Sequence, residues 1–200
     1  VVQHEGSGPN PNRQEGPHAH WAGVDAANRF AFVVDLGIDR VVGYRIDPAS
    51  ARLEPAPGAG FASRPGAGPR HLDFHPSEPF AFIINELDST LTSVGYHADT
   101  GRMEEVQTVS TLPAGYTASS SCAEIVVHPS GRFVYGSNRG HDSIVVFGIE
   151  AGTGRLTLVQ HQPTLGRTPR NFALDPTGRF LAAANQDSNS LVVFSIDSAT

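Results

Sequence analysis

The sequence predicts an all-β fold, a β-propeller of four-stranded antiparallel blades, and three observations lead there. A pattern recurs along the chain: Phe30, Phe80, Phe133 and Phe180 are separated by 50, 53 and 47 residues, and self-similarity at such a period is the mark of a repeat architecture. Within each repeat, short apolar runs of strand length alternate with turn residues, and no repeat has a helical period. The composition agrees, with 21 Gly and 15 Pro among 200 residues and only 17% charged side chains, as suits a turn-rich β protein.

The repeat is defined by fixed offsets. Five residues before each Phe stand Asp25, His75, His128 and Asp175, the last three followed by Pro76, Pro129 and Pro176. Five after each Phe stand Asp35, Asn85, Asn138 and Asn185, and fourteen after stand Tyr44, Val94, Phe147 and Phe194. The third repeat shows the strands most plainly. "EIVV" (124–127) is a first strand, "HPSGR" (128–132) a turn with Pro and Gly at suitable places, and "FVYGSN" (133–138) a second strand. "SIVVFGIE" (143–150) follows with strong β propensity, then the hairpin turn "AGTGR" (151–155) and an alternating fourth strand, "LTLVQHQ" (156–162). Blades are therefore expected over about 16–67, 68–122, 123–166 and 167–200, with 1–15 as an inter-blade loop. The fourth repeat stops at Thr200 before its outer strand, and the chain opens at Val1 rather than Met. The sequence is thus expected to be an internal piece of a larger ring, with the missing blades as its natural partners. Alone it should be poorly stable, because end blades would show bare apolar faces and strand edges.

Strand direction alternates within a blade, so loops alternate between two faces of the disc. The "HPSGR" and "AGTGR" turns share one face, which is repetitive and built of turn residues. The other face collects "GPHAH" (16–20), "GPRH" (68–71), "TPRN" (168–171), "NELD" (85–88), "NRGHD" (138–142) and "NQDS" (185–188). There the residue after the repeated Asn or Asp varies: Leu36, Glu86, Arg139, Gln186. The repeated part builds blades, and this position is where the units differ, charged in two of the four.

Composition narrows the function. Net charge is −6 with no long basic run, so nucleic acid is not an expected partner, and local arginines must hold any anionic ligand against the global field. All 14 basic residues are Arg, which excludes a lysine nucleophile or Schiff base within this chain. The single cysteine, Cys122, permits no intrachain disulfide. With no signal peptide or long apolar stretch, a cytosolic location and no membrane association are expected.

The stretches "GSGPNPNRQEGPHAH" (6–20), "GPRHLDFHP" (68–76), "NELDS" (85–89), "EIVVHPSGRFVYGSNRGHDSIVVF" (124–147) and "TPRNFALDPTGRFL" (168–181) resemble the cyclic lactonase family. This is the seven-bladed propeller group typified by bacterial 6-phosphogluconolactonase, and it also contains fungal carboxymuconate lactonising enzyme. The resemblance covers essentially the whole chain. It implies a hydrolase that opens an anionic sugar lactone in the pentose phosphate pathway. A carboxymuconate-lactone cycloisomerase is the alternative enzyme, and a non-catalytic interaction platform the alternative outside enzymes. It also implies a site of one His, two Arg and one Glu around the central channel. By motif these become a histidine of "GPHAH", then Arg70, Glu86 and Arg139. His20 adjoins the strand "WAGV" and is preferred, while His18 stays eligible; Trp21 beside them is expected to narrow the channel mouth. His18, Arg170, Asn85 and Asn138 join as substrate-binding candidates.

Opening a lactone needs an activated water, a stabilised oxyanion and a grip on the substrate's anion. Glu86 is expected as the base, arginine forks as anion and oxyanion ligands, and a neutral His as the relay to the leaving alkoxide. None of this requires a metal or cofactor. Each residue also has a structural reading: Arg170 as an inter-blade bridge, Glu86 as a surface carboxylate, His75 and His128 as turn residues on the opposite face. His141 lies near the site in a polar turn. "ASSSCAE" (118–124) lacks a nucleophile elbow, Cys122 reads as a half-buried thiol, and "GSGPNP" (6–11) has no Walker lysine and reads as an ordered loop.

Overall fold

A computed structural model describes residues 1–197 and contains, among them, fifteen β-strands and one turn of 3-10 helix at Leu36–Ile38. The strands form successive antiparallel meanders. The first is β1 (Ala19–Val24), β2 (Phe30–Asp35), β3 (Arg40–Asp47) and β4 (Arg52–Ala62), and the second β5 (Pro69–Phe74), β6 (Phe80–Asn85), β7 (Thr90–His97) and β8 (Arg102–Ser110). The third is β9 (Ser121–Val127), β10 (Phe133–Arg139), β11 (Ser143–Ile149) and β12 (Leu156–Pro163). The last described group is β13 (Pro169–Leu174), β14 (Phe180–Asn185) and β15 (Ser190–Ser195). Thr200, where the sequence reading places the break in the fourth repeat, lies outside the described residues. A single parallel bridge, Gly60 to Arg102, joins the outer edges β4 and β8.

The strand period explains the stacking. In β6 all six residues are buried, because alternate side chains face different neighbours. Ala81 and Ile83 join Phe30, Phe32 and Val34 of β2 in one core, while Phe80, Phe82 and Ile84 join Val127, Val134 and Val145 of the third meander in another. Tyr135 and Ile144 then meet Phe172, Leu181 and Ala183 of the last group. Each fully buried aromatic or aliphatic side chain contributes about 1.5–3 kcal/mol. Trp21 packs, half-buried, against the first of these cores.

The turns opposite the charged loops lock neighbouring meanders together. His75 Nδ1 accepts the Glu78 amide at 2.9 Å, and its Nε2 donates to the Gly131 carbonyl at 2.9 Å. His128 repeats this toward the Gly178 carbonyl, also at 2.9 Å. Gly131 and Gly178 adopt φ of 72° and 70°, and a Cβ on either would collide with the facing His ring. Asp25 and Asp175, at the same repeat position, cap their turns by accepting the amides of Phe30 and Phe180. His75 and His128 are therefore structural residues.

The first strands β1, β5, β9 and β13 are neighbours in that order, and each carries a β-bulge. The register slips between Ala19 and Trp21, between Pro69 and Arg70's other neighbour His71, and between Pro169 and Asn171. The extra residues are thus His20, Arg70 and Arg170. In β9 the slip falls across Ala123 and Glu124, where Asn138 pairs with Cys122 but Gly136 with Ile125. This bulge also lets β9 start at Ser121, ahead of the "EIVV" run. Bulges re-aim side chains and interrupt strict alternation.

Candidate active site

Glu86 follows β6 in a tight turn whose backbone is tied down: its amide donates to the Gly68 carbonyl at 2.7 Å, and its carbonyl accepts the Cys122 amide at 3.3 Å. The residue is buried, with its side chain 3% exposed. Its Oε2 accepts Arg70 Nε at 2.9 Å and lies 3.0 Å from Arg139 Nη2, while Oε1 pairs with Arg13 Nη1. Arg70 also donates to the Ala123 carbonyl at 2.6 Å, and Arg139 to the Cys122 carbonyl at 2.7 Å. The next residue, Gln14, sets Arg13 in place. Its Nε2 donates to the Leu36 carbonyl and to Asp39 Oδ1, both at 2.8 Å, and the Asp39 carboxylate also accepts the amides of Gly66 and Gly68.

Burial alone would push the Glu86 carboxyl up, but Arg139, Arg13 and Arg70 outweigh it and hold it below the usual glutamate value. A carboxylate clamped by guanidiniums on both oxygens is a weak proton acceptor. It is well suited to ordering three cations at close quarters.

His20 is the other chemical centre. Its Nδ1 lies 3.2 Å from His71 Nε2, and the His71 Nδ1 lies 2.7 Å from Glu124 Oε1. Arg70 Nη1 approaches the same His71 Nε2 at 3.1 Å. Burial first, then the neighbouring Arg70 and His71, lower the His20 pKa to about 4. The imidazole is therefore neutral near pH 7. Glu124 also accepts from Asn171 Nδ2.

His20, Arg70, His71, Arg170, Asn171 and Gln186 line one open cleft of about 680 Å³. Arg170 is exposed there and makes no ion pair among the described residues. Glu86 and Arg139 sit behind Arg70 and are not part of the cleft wall. His18 is exposed, 5.8 Å ring to ring from His20, and its amide donates to Asp35 Oδ1. A larger hollow of about 860 Å³ lies beside Val1, Val2 and Arg52. Three of its polar groups, His4, Asp35 and Tyr44, are closed on one another, so the smaller cleft is the candidate site.

The two asparagines are placed inside the blades, away from the cleft wall. Asn85 Nδ2 donates to Thr90 and Thr92 hydroxyls at 2.9 and 3.1 Å. Asn138 Nδ2 donates to the Thr111 carbonyl at 2.9 Å, and its Oδ1 accepts from Cys122 Sγ at 3.4 Å. Asn185 repeats the brace toward Thr164. The invariant part of the repeat thus holds loops to strands. Cys122, fully buried, is correspondingly more enclosed than a half-buried thiol. His141 donates or accepts at Ser143 Oγ, 2.7 Å away, with Tyr116 edge-on.

Sequence reasoning passed over Arg13, His71 and Glu124. Arg13 lies in a segment without strand period, so no periodicity assigns it a direction. Strict alternation sends His71 to the face opposite Arg70; the bulge brings both into one cleft. The available signal was the repeat itself, since "AHW" (19–21), "PRH" (69–71), "CAE" (122–124) and "PRN" (169–171) stand at equivalent positions.

A family model described as lactonase, 7-bladed beta-propeller, matches residues 1–200. The chain is 41% identical over 172 residues to 6-phosphogluconolactonase of Bacillus subtilis (strain 168), covering 86% of this chain and 48% of that protein. It is 38% identical over 156 residues to 6-phosphogluconolactonase of Pectobacterium carotovorum, covering 78% and 46%. A crystal structure of a protein from Lactobacillus plantarum superposes with a TM-score of 0.92 at 37% identity, over 99% of this chain and 56% of that one. The periplasmic gluconolactonase of Pseudomonas aeruginosa gives 0.89 at 33% identity, over 97% and 54%. The chain spans about half the length of the curated relatives it matches.

Proposed function

This chain belongs to the seven-bladed β-propeller lactonase family, and from that membership we propose that the protein carrying it hydrolyses a sugar lactone. The preferred substrate is 6-phosphogluconolactone, opened to 6-phosphogluconate as a step of the pentose phosphate pathway. The observation that carries the reading is His20, a neutral imidazole beside Arg70 in a cleft whose rim offers the unpaired Arg170.

In this reading Arg170 holds the phosphate, as a guanidinium fork fits its oxygens. Arg70, held in place by Glu86, faces the carbonyl oxygen as it becomes an oxyanion; losing one such donor costs about 10²–10³ in rate. His20 takes a proton from the attacking water and returns it to the ring oxygen as the C–O bond breaks. Arg139 and Arg13 act through Glu86, raising the positive potential behind Arg70. A cytosolic setting belongs to the same proposal, supported by the single buried thiol.

The test is hydrolysis of 6-phosphogluconolactone, gluconolactone and carboxymuconolactone by the full-length protein, each measured against spontaneous opening. Acceleration of the phosphorylated lactone above the other two is the expected result. Turnover of carboxymuconolactone alone would transfer the site to cycloisomerase chemistry. No acceleration of any lactone would leave a propeller used as an interaction platform.

A further inference from the structure

We propose that Glu124 and His71 form a proton relay with His20, so that the carboxylate coupled to proton transfer is Glu124 and not Glu86. The proposal rests on the lactonase reading for its chemistry, but its geometry stands independently. Glu124 lies in the β9 bulge, at the repeat position of His71 in β5 and Asn171 in β13, one residue after the position held by His20, Arg70, Ala123 and Arg170. The inner strands β5, β9 and β13 therefore direct His71, Glu124 and Asn171 from the same structural position, and Glu124 bonds to both of the others.

The hydrogen bonds determine the tautomers. An arginine N–H can only donate, so His71 Nε2, 3.1 Å from Arg70 Nη1, carries a lone pair. The His71 proton then sits on Nδ1 and is donated to Glu124 Oε1 at 2.7 Å. The His71 Nε2 lone pair also faces His20 Nδ1 at 3.2 Å, so His20 carries its proton on Nδ1. The lone pair left on His20 is on Nε2, the atom required of a general base. A carboxylate that fixes a histidine tautomer and stabilises the imidazolium is the logic of catalytic triads; here a second imidazole is interposed.

During reaction the water oxygen bonds to the lactone carbonyl carbon, and the carbonyl π pair moves onto oxygen. The water proton passes to His20 Nε2, and the positive charge is shared through Nδ1–H with His71 and balanced by Glu124. When the intermediate collapses, the ring C–O bond breaks and its electron pair takes the proton from His20 Nε2. One water is consumed and the protein returns to its starting state. The groups facing His20 are Arg70, His71, Glu86 and the His18 ring. Those facing Glu124 are His71, Asn171 and Asp73, whose own carboxylate accepts the Val127 amide. Glu124 is a positioning residue, acting through His71.

The experiment uses the full-length protein labelled with ¹⁵N at histidine. The wild type is expected to show His71 and His20 both protonated at Nδ1. Glu124→Gln is expected to lower kcat about 10²-fold with KM little changed. It should also shift the acid limb of the rate profile to lower pH by about half a unit or more, because removing an anion disfavours the imidazolium. A purely structural role for Glu124 would not move that limb. A wild-type His71 protonated at Nε2 would overturn the relay, and this readout needs no variant to fold. So would unchanged kcat and acid limb in Glu124→Gln while His20→Ala is inactive, an outcome that leaves the lactonase reading standing. A wild type inactive on every lactone would sink that reading instead, and the tautomers would still decide whether the hydrogen-bonded chain exists.

Discussion

Arg70 Nε stands 2.9 Å from Glu86 Oε2, and each side chain is only 3% exposed. A buried pair like this contributes little against an apolar substitute, but breaking it leaves a buried charge without its partner. Glu86→Gln therefore is expected to destabilise the full-length protein by about 3–5 kcal/mol in urea unfolding. A base would behave differently, losing turnover while keeping its unfolding midpoint. Unaltered stability with a collapsed kcat would return Glu86 to the role its sequence context suggests.

The pH dependence of the two centres differs. Glu86 titrates below its ordinary value of 4.5 in the folded protein, so its stabilisation is complete above that pH and drains away as pH falls through the lower folded value. His20, lowered from 6.5 to about 4, stays neutral across the ordinary histidine range. kcat/KM is expected to hold level as pH falls past 6.5 and to drop with a midpoint near 4. A limb centred at 6.5 would show that His20 is not the group titrating.

Arg170 separates phosphorylated from neutral lactones. Arg170→Ala should raise KM for 6-phosphogluconolactone about tenfold or more, equivalent to ~1.4 kcal/mol or more of lost anion binding, and leave gluconolactone unaffected. Arg170→Lys should restore part of the loss, since an ammonium keeps the charge but not the fork. Equal effects on both substrates would place Arg170 outside the anion site.

The inter-meander latch can be weighed against a control. Gly178 and Gly152 have φ of 70° and 73°, but only at Gly178 would a Cβ meet the His128 ring. Both Ala variants carry the backbone strain of about 1–3 kcal/mol; Gly178→Ala should lose measurably more, read as the difference between their denaturation midpoints. Equal losses would show that the His128 contact adds nothing.

Cys122 is fully buried, and burial pushes its thiol up to about 12. Alkylating reagents act on the thiolate, so native protein should leave Cys122 unlabelled at neutral pH and denatured protein should label it fully. Peptide mass mapping reads both states, and rapid native labelling would contradict the burial.

The strands, their alternating direction and the face shared by Arg70, Glu86 and Arg139 were legible in the sequence, because side-chain period and turn chemistry are local properties. So was the division between repeated Asn and variable neighbour. The roles were not. Glu86 reads as a free carboxylate until Arg13, 73 residues away in the chain, closes on its second oxygen. His71 reads as facing away from Arg70 until a bulge turns it, and its partner Glu124 lies 53 residues further on. Sequence by itself thus determined which residues reach the charged end of the disc. Tertiary structure alone decided which of them meet, and with that which carboxylate is neutralised by cations and which is left to act on a histidine. The reason is that proton affinity depends on the distances to neighbouring charges and on burial, quantities that exist only once the strands have paired and packed.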